Sequence, residues 1–236
     1  MESFARVKML IGDDAFQKLS NSSVAVFGVG GVGGYTVEAL ARSGVEKITV
    51  FDSDVVAKSN LNRQIIATTQ NIGTSKVEAV RERVKSINPN AQIQTHKVFY
   101  LPENANDFDL SIYDYVVDAV DTVSAKLEII ERAIKAGVKV ISCMGTGGKT
   151  DPTMLRVAPI EKTKGCPLAR VMRRELKQRN ICDVKVVYSE EQTQSVCTEK
   201  SENGKAIPPS MIFVPATAGL ILAREVVFDI INEKEN

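Results

Sequence analysis

With 236 residues, the chain suffices for one large α/β domain, alone or with an appendage, and can bury roughly 70–75% of its unfolded surface without disulfide or metal support. Its 30 basic side chains nearly balance 29 acidic ones, so no overall charge excess advertises nucleic acid, although a local basic patch would be invisible in the total. Four scattered cysteines, Cys143, Cys166, Cys182 and Cys197, form no C-x-x-C pair, which argues against zinc and for a reducing cytosol.

Residues 4–20 read as one amphipathic helix, with Phe4, Val7, Leu10, Ile11 and Leu19 on a common face and Arg6 among the charges between them. The start lacks the apolar core of a signal peptide, and the apolar run 211–228 is broken by Arg224 and Glu225, so the expectation is a cytoplasmic protein with no membrane span. Residues 24–27 form a continuous apolar strand, as in a parallel sheet covered on both faces. Gly28, Gly30, Gly31 and Gly33 follow at the spacing of a phosphate-approaching turn, and a helix begins at residues 31–42. The next strand, 47–51, stops on Asp52, where a ribose-binding carboxylate belongs. To this point the pattern fits any dinucleotide-binding dehydrogenase.

Residues 54–64 depart from that pattern with a polar, turn-forming run carrying Asp54, Asn60, Asn62, Arg63 and Gln64. A guanidinium there suits phosphate oxygens, while a plain solvated loop explains the composition equally well. A helix follows Gly73 with Lys76 in its first turn, a position the helix dipole disfavours for a cation unless an anion is near. A strand at 92–98, carrying the single histidine His96, and a buried strand at 113–119 come next. The latter ends in Asp118-Ala-Val-Asp121; acids here face the ligand crevice of such sheets, and Asp121 alternatively caps the helix expected at 122–136. A strand at 138–143 leads to a second glycine cluster, 145–148. Beyond residue 152 the strand–helix alternation weakens: strands at 155–159 and 185–188 flank a basic helix, 167–179, before a polar loop at 190–209 and a closing apolar helix at 216–231. The basic face reads as solvated or as an RNA-binding patch. The expected fold is Rossmann-like α/β, a doubly wound, mostly parallel sheet with helices on both faces and a smaller C-terminal α+β extension. One continuous domain then divides into an N-terminal arm (1–22), a nucleotide-binding core (23–150) and an extension (151–236).

Taken together, Gly28-x-Gly-Gly-x-Gly33, Asp52-Ser-Asp54, Ser59-Asn-Leu-Asn-Arg-Gln64, Gly73-x-x-Lys76 and Asp118-x-x-Asp121 resemble the motifs of the ThiF/MoeB/HesA superfamily, adenylating enzymes similar to the ubiquitin-activating enzymes. The resemblance implies ATP and Mg2+ as cofactors. It places the ATP phosphates on the Gly28–Gly33 turn, the ribose on Asp52, and Asp54 and Asn60 around the nucleotide. Arg63 and Lys76 would grip the triphosphate, and Asp121 would hold the magnesium ion. It further implies a homodimer in which Arg6 reaches the partner subunit's site. Adenylation needs such cations around the polyphosphate; hydride transfer does not.

The sulfur-carrier activators of the superfamily usually carry two C-x-x-C pairs, absent here. The arm at residues 6–12, Ser86-Ile-Asn-Pro89, Gly147-Gly-Lys-Thr-Asp-Pro152 and the basic helix resemble instead the tRNA threonylcarbamoyladenosine dehydratase branch. That branch activates a carboxylate on a modified adenosine beside the tRNA anticodon and closes it to a ring. The resemblance thus implies tRNA as partner and allows a sulfur-transfer or carrier protein as another. The alternatives are an adenylyltransferase acting on the C-terminus of a ubiquitin-like sulfur carrier, in which Cys197 would serve as a thioester nucleophile, and an NAD-binding oxidoreductase or nucleotide-sensing module resting on the glycine turn and Asp52 alone. Cys143 reads as core packing, and His96 as structural or surface.

Overall fold

The computed structural model describes residues 3–193 and 208–233. Seven strands form one sheet: β1 (Ser23–Phe27), β2 (Lys47–Phe51), β3 (Gln92–His96), β4 (Tyr115–Asp118), β5 (Lys139–Cys143), β6 (Leu155–Pro159) and β7 (Lys185–Ser189), in the order β3-β2-β1-β4-β5-β7-β6. All neighbours pair in parallel except β6, which runs antiparallel along β7 at the edge. The C-terminal extension therefore continues the same sheet.

Strand periodicity explains the two helix layers. Along β1, Val24 and Val26 enter one apolar cluster while Ala25 and Phe27 enter another on the opposite face. The first cluster is closed by α3 (Gly33–Ser43), α4 (Lys76–Ile87) and α7 (Phe213–Ile231), the second by α5 (Val123–Lys135). Successive side chains of a strand point to opposite faces, so a run of apolar residues demands cover on both. A further cluster under β7 is closed by α6 (Pro167–Gln178).

The expected N-terminal helix is in fact two, α1 (Ala5–Ile11) and α2 (Asp13–Asn21), broken where Gly12 takes φ +86°. Apolar periodicity continues through the break, which is why the sequence reads as one helix. Residue 113 precedes β4, β3 stops at His96, and α7 begins three residues before the expected start, with Pro215 in its first turn. Proline is tolerated there because first-turn N–H groups have no intrahelical acceptor.

Candidate active site

β1 and β4 are adjacent, yet their crossovers leave to opposite sides, and the crevice beyond their carboxyl ends is where such sheets take ligands. An open cleft of ≈ 740 Å³ lies there. It is lined by Gly28, Gly30, Gly31, Asp52, Asp54, Asn60, Arg63, Lys76 and Asp121, all singled out in the sequence. Gly33 stands behind this lining, at the first turn of α3.

The glycine turn is a close approach of backbone to backbone. A Cβ on Gly33 would sit 1.8 Å from the Gly28 carbonyl oxygen, and one on Gly28, at φ +81°, would sit 2.8 Å from that of Ala119. α3 starts without a side-chain cap, with Gly34 N donating to the Gly30 carbonyl at 3.1 Å, and the positive end of its dipole meets the glycine turn of the cleft, an arrangement suited to phosphate. Asp52 braces the turn. Its Oδ2 accepts from Val29 N at 2.8 Å and its Oδ1 from Asp54 N at 2.9 Å. Burial pushes the Asp52 carboxyl above the ordinary aspartate range, against the pull of the Lys76 charge and of those two N–H groups.

Lys76 and Asp54 meet because residues 54–56 and 73–76 pair as a short antiparallel ribbon, with Val56 N on Thr74 O, Gly73 N on Val56 O and Lys76 N on Asp54 O. The Lys76 ammonium lies 2.7 Å from Asp54 Oδ2, its side chain buried and that of Asp54 62% exposed. The cation at the start of α4 is thus held by a carboxylate that is itself largely in solvent. Arg63 is half-buried and donates to the Ser59 carbonyl and Asn62 Oδ1, each at 2.9 Å; among the described residues no carboxylate neutralises it. Asn60 is buried, and its Oδ1 receives Ala57 N at 3.0 Å, shaping the turn that aims Arg63. Gln64, beside them, is buried with an Oε1 that has no hydrogen-bond partner, an acceptor facing the same cleft.

The two acids after β4 have different fates. Asp118 does not face the crevice: it is fully buried, 2.9 Å from the Lys126 ammonium, and accepts from Ser142 Oγ. Lys126, on α5, completes its set of acceptors with the Val120 and Cys143 carbonyls. A strand end points its side chains alternately up and down, and Asp118 falls on the face that α5 covers. Asp121 remains exposed at the cleft, and the α5 N-cap is Thr122, not Asp121. Its carboxylate is not committed to a helix end. Among the described residues no group of three or more metal-binding side chains converges. A lone carboxylate suits magnesium, which keeps several waters and takes phosphate oxygens for the rest.

Arg6 lies exposed on α1 and does not line the cleft of its own chain. Cys197 lies outside the described residues. Cys143 is buried in the cleft wall, its thiol pushed up to about 12 by burial, and His96 stacks on Phe51 with centroids 4.6 Å apart. On α6, Ala169, Met172 and Leu176 turn inward, leaving Arg170, Arg174 and Lys177 exposed. No helix among the described residues is long and apolar enough to cross a membrane.

Sequence reasoning passed over the cleft's other walls. Val98, Phe99 and Tyr100 line the cleft on the β3 side, and Met144, Lys149, Cys166 and Leu168 line it on the β5 side. Apolar residues after a strand carry no local signal of ligand contact; Lys149 follows a glycine cluster that reads equally as a turn, and it has a place in the Gly147–Pro152 motif but no role there.

Residues 4–236 match the ThiF family. The chain belongs to it. Within the family, the chain is 38% identical to the tRNA threonylcarbamoyladenosine dehydratase of Bacillus subtilis, over 100% of this chain and 97% of that protein. The crystal structure of the Escherichia coli tRNA N6-threonylcarbamoyladenosine dehydratase TcdA in complex with ATP is similar at a TM-score of 0.87 and 31% identity, covering 97% of this chain and 93% of that one. A more distant match is the probable adenylyltransferase/sulfurtransferase MoeZ of Mycobacterium tuberculosis, 35% identical over 54% of this chain and 32% of that protein. The family membership and the mostly parallel Rossmann-like sheet are those expected from the sequence.

Proposed function

We propose that the chain is an ATP-dependent dehydratase that cyclises threonylcarbamoyladenosine in tRNA. The observation that carries this reading is the combination, in one cleft, of an uncapped helix start behind a glycine turn with the cations Arg63 and Lys76 and the carboxylate Asp121. Likeness to the dehydratases along nearly the whole chain supports the choice of substrate, as does the absence of C-x-x-C pairs.

The chemistry follows from the charges. A carboxylate oxygen of the substrate attacks the α-phosphorus of ATP, the bond to the β-phosphate oxygen breaks, and pyrophosphate leaves. A carbamoyl atom of the same nucleoside then attacks the acyl carbon, a carbamoyl N–H proton is released to solvent, the acyl–oxygen bond breaks, and AMP leaves with the former carboxylate oxygen. Asp52 would take the ribose hydroxyls, and Arg63 and Lys76 the charge that builds on the phosphates. Lys76 would exchange Asp54 for the triphosphate. Magnesium, when bound, would neutralise phosphate charge, and Asp121 would hold it. An internal nucleophile makes a thioester at Cys197 unnecessary. A homodimer in which Arg6 enters the partner's cleft completes the reading, and the exposed Arg170, Arg174 and Lys177 offer phosphate contacts to tRNA. Acting on tRNA, the enzyme would work in the cytoplasm.

The test is mass spectrometry of tRNA nucleosides after incubation with ATP, magnesium and the protein. The expected product is a nucleoside lighter by one water, formed together with AMP and pyrophosphate. If a ubiquitin-like carrier stimulates ATP–pyrophosphate exchange and modified tRNA does not, the chain is a carrier activator instead.

A further inference from the structure

Lys149 and Lys126 are both buried lysines, and they differ in how their charge is met. Lys126 has a carboxylate and two carbonyls around its ammonium. Lys149 is 3% exposed, and its one hydrogen-bond acceptor among the described residues is the Ser189 carbonyl at 3.1 Å. The groups facing it from the surrounding elements are Cys143 of β5, Cys166 before α6 and Glu191 after β7. The Cys143 thiol is neutral. Glu191 is fully engaged elsewhere: its carboxylate accepts from Thr150 N, Asp151 N and Thr150 Oγ1. That clamp fixes the loop on which Lys149 stands, and Gly148 N adds a 2.7 Å bond to the Pro209 carbonyl. Glu191 offsets the Lys149 charge from a distance but makes no ion pair with it. A buried cation without a direct counter-ion is costly, and here it lines the cleft on the β5 side, beside Met144, Cys166 and Leu168.

We infer that Lys149 is the carboxylate-binding residue of an acyl subsite, holding the substrate's carboxylate on this largely apolar side of the cleft while the nucleotide occupies the other. This rests on the proposed function and assigns its second substrate a place. The ammonium would bind one carboxylate oxygen and leave the other to attack phosphorus; no proton changes hands. Burial also holds the lysine below its ordinary pKa of 10.5, so the subsite would lose its charge as pH rises through that lowered value.

The experiment compares wild type, Lys149→Met and Lys149→Arg in the tRNA cyclisation assay, with ATP–magnesium affinity measured by calorimetry on the same preparations. For Lys149→Met the expected result is a loss of about 10- to 100-fold in kcat/KM for tRNA, the scale of one charge-assisted hydrogen bond, with ATP affinity within about twofold of wild type. Lys149→Arg recovers part of the rate and removes the alkaline limb of the pH profile, because a guanidinium stays charged. Unchanged kcat/KM for tRNA in Lys149→Met overturns the assignment. So does a parallel loss of ATP affinity, which would make Lys149 a mere prop for the Ser189 carbonyl. Wild-type protein that forms no cyclic nucleoside overturns the proposed function itself, and the subsite with it.

Discussion

At the scale of single residues, the cleft distributes its cations by how readily each can turn to a ligand. Lys76 leans on a carboxylate that is itself mostly in solvent, and such half-exposed pairs contribute little to stability. Replacing it should therefore spare the fold and strike the chemistry. Lys76→Met is expected to lower kcat by on the order of 10²–10³, read by AMP release under saturating ATP, with a melting temperature close to wild type. Arg63 has neutral acceptors only, so its charge is available without breaking an ion pair. Neither arrangement follows from spacing in the chain. Lys76 in a helix's first turn hinted at an anion, but the anion found beside it is Asp54, 22 residues away.

Among the elements, the junction of β4, β5 and α5 decides where Asp121 stands. Asp118, Lys126, Ser142 and the Val120 and Cys143 carbonyls form one buried polar knot. Removing one partner of such a pair leaves the other charge stranded, which typically costs about 3–5 kcal/mol. Lys126→Met should show a destabilisation of that size in urea unfolding, although Lys126 reaches no part of the expected catalytic set. A melting curve indistinguishable from wild type would mean that the pair carries no such burden. The same knot corrects the sequence reading of Asp118 as a crevice acid: burial of its strand face by α5, invisible in the local motif, turns it into a structural residue.

For the whole molecule, the N-terminal arm poses the question of assembly. Met9 and Leu10 are 76% and 82% exposed on α1 and stand close in sequence to Arg6, which does not line the cleft of its own chain. If Arg6 serves the partner's site, Arg6→Ala and Lys76→Met proteins, each impaired alone, should regain activity on mixing. Up to about a quarter of the sites would then be intact, since random pairing makes half of the dimers mixed and one of their two sites whole. Additive, unrestored activity after subunit exchange would place Arg6 outside the mechanism.

What the sequence determined by itself was the part written in local runs. Four consecutive apolar residues before the glycine turn required a strand covered on both faces, and the glycines required backbone at close quarters; both hold in the folded chain. The motifs were legible together because their order along the chain matches the order in which strands deliver loops to one edge of the sheet. Only the tertiary structure decided the rest. It broke the arm at Gly12, paired residues 54–56 with 73–76, buried Asp118 and freed Asp121, and brought Lys149 to the cleft that the glycine turn also lines. The physical reason is that burial and charge pairing are properties of faces that meet across the fold, and a linear spacing records neither.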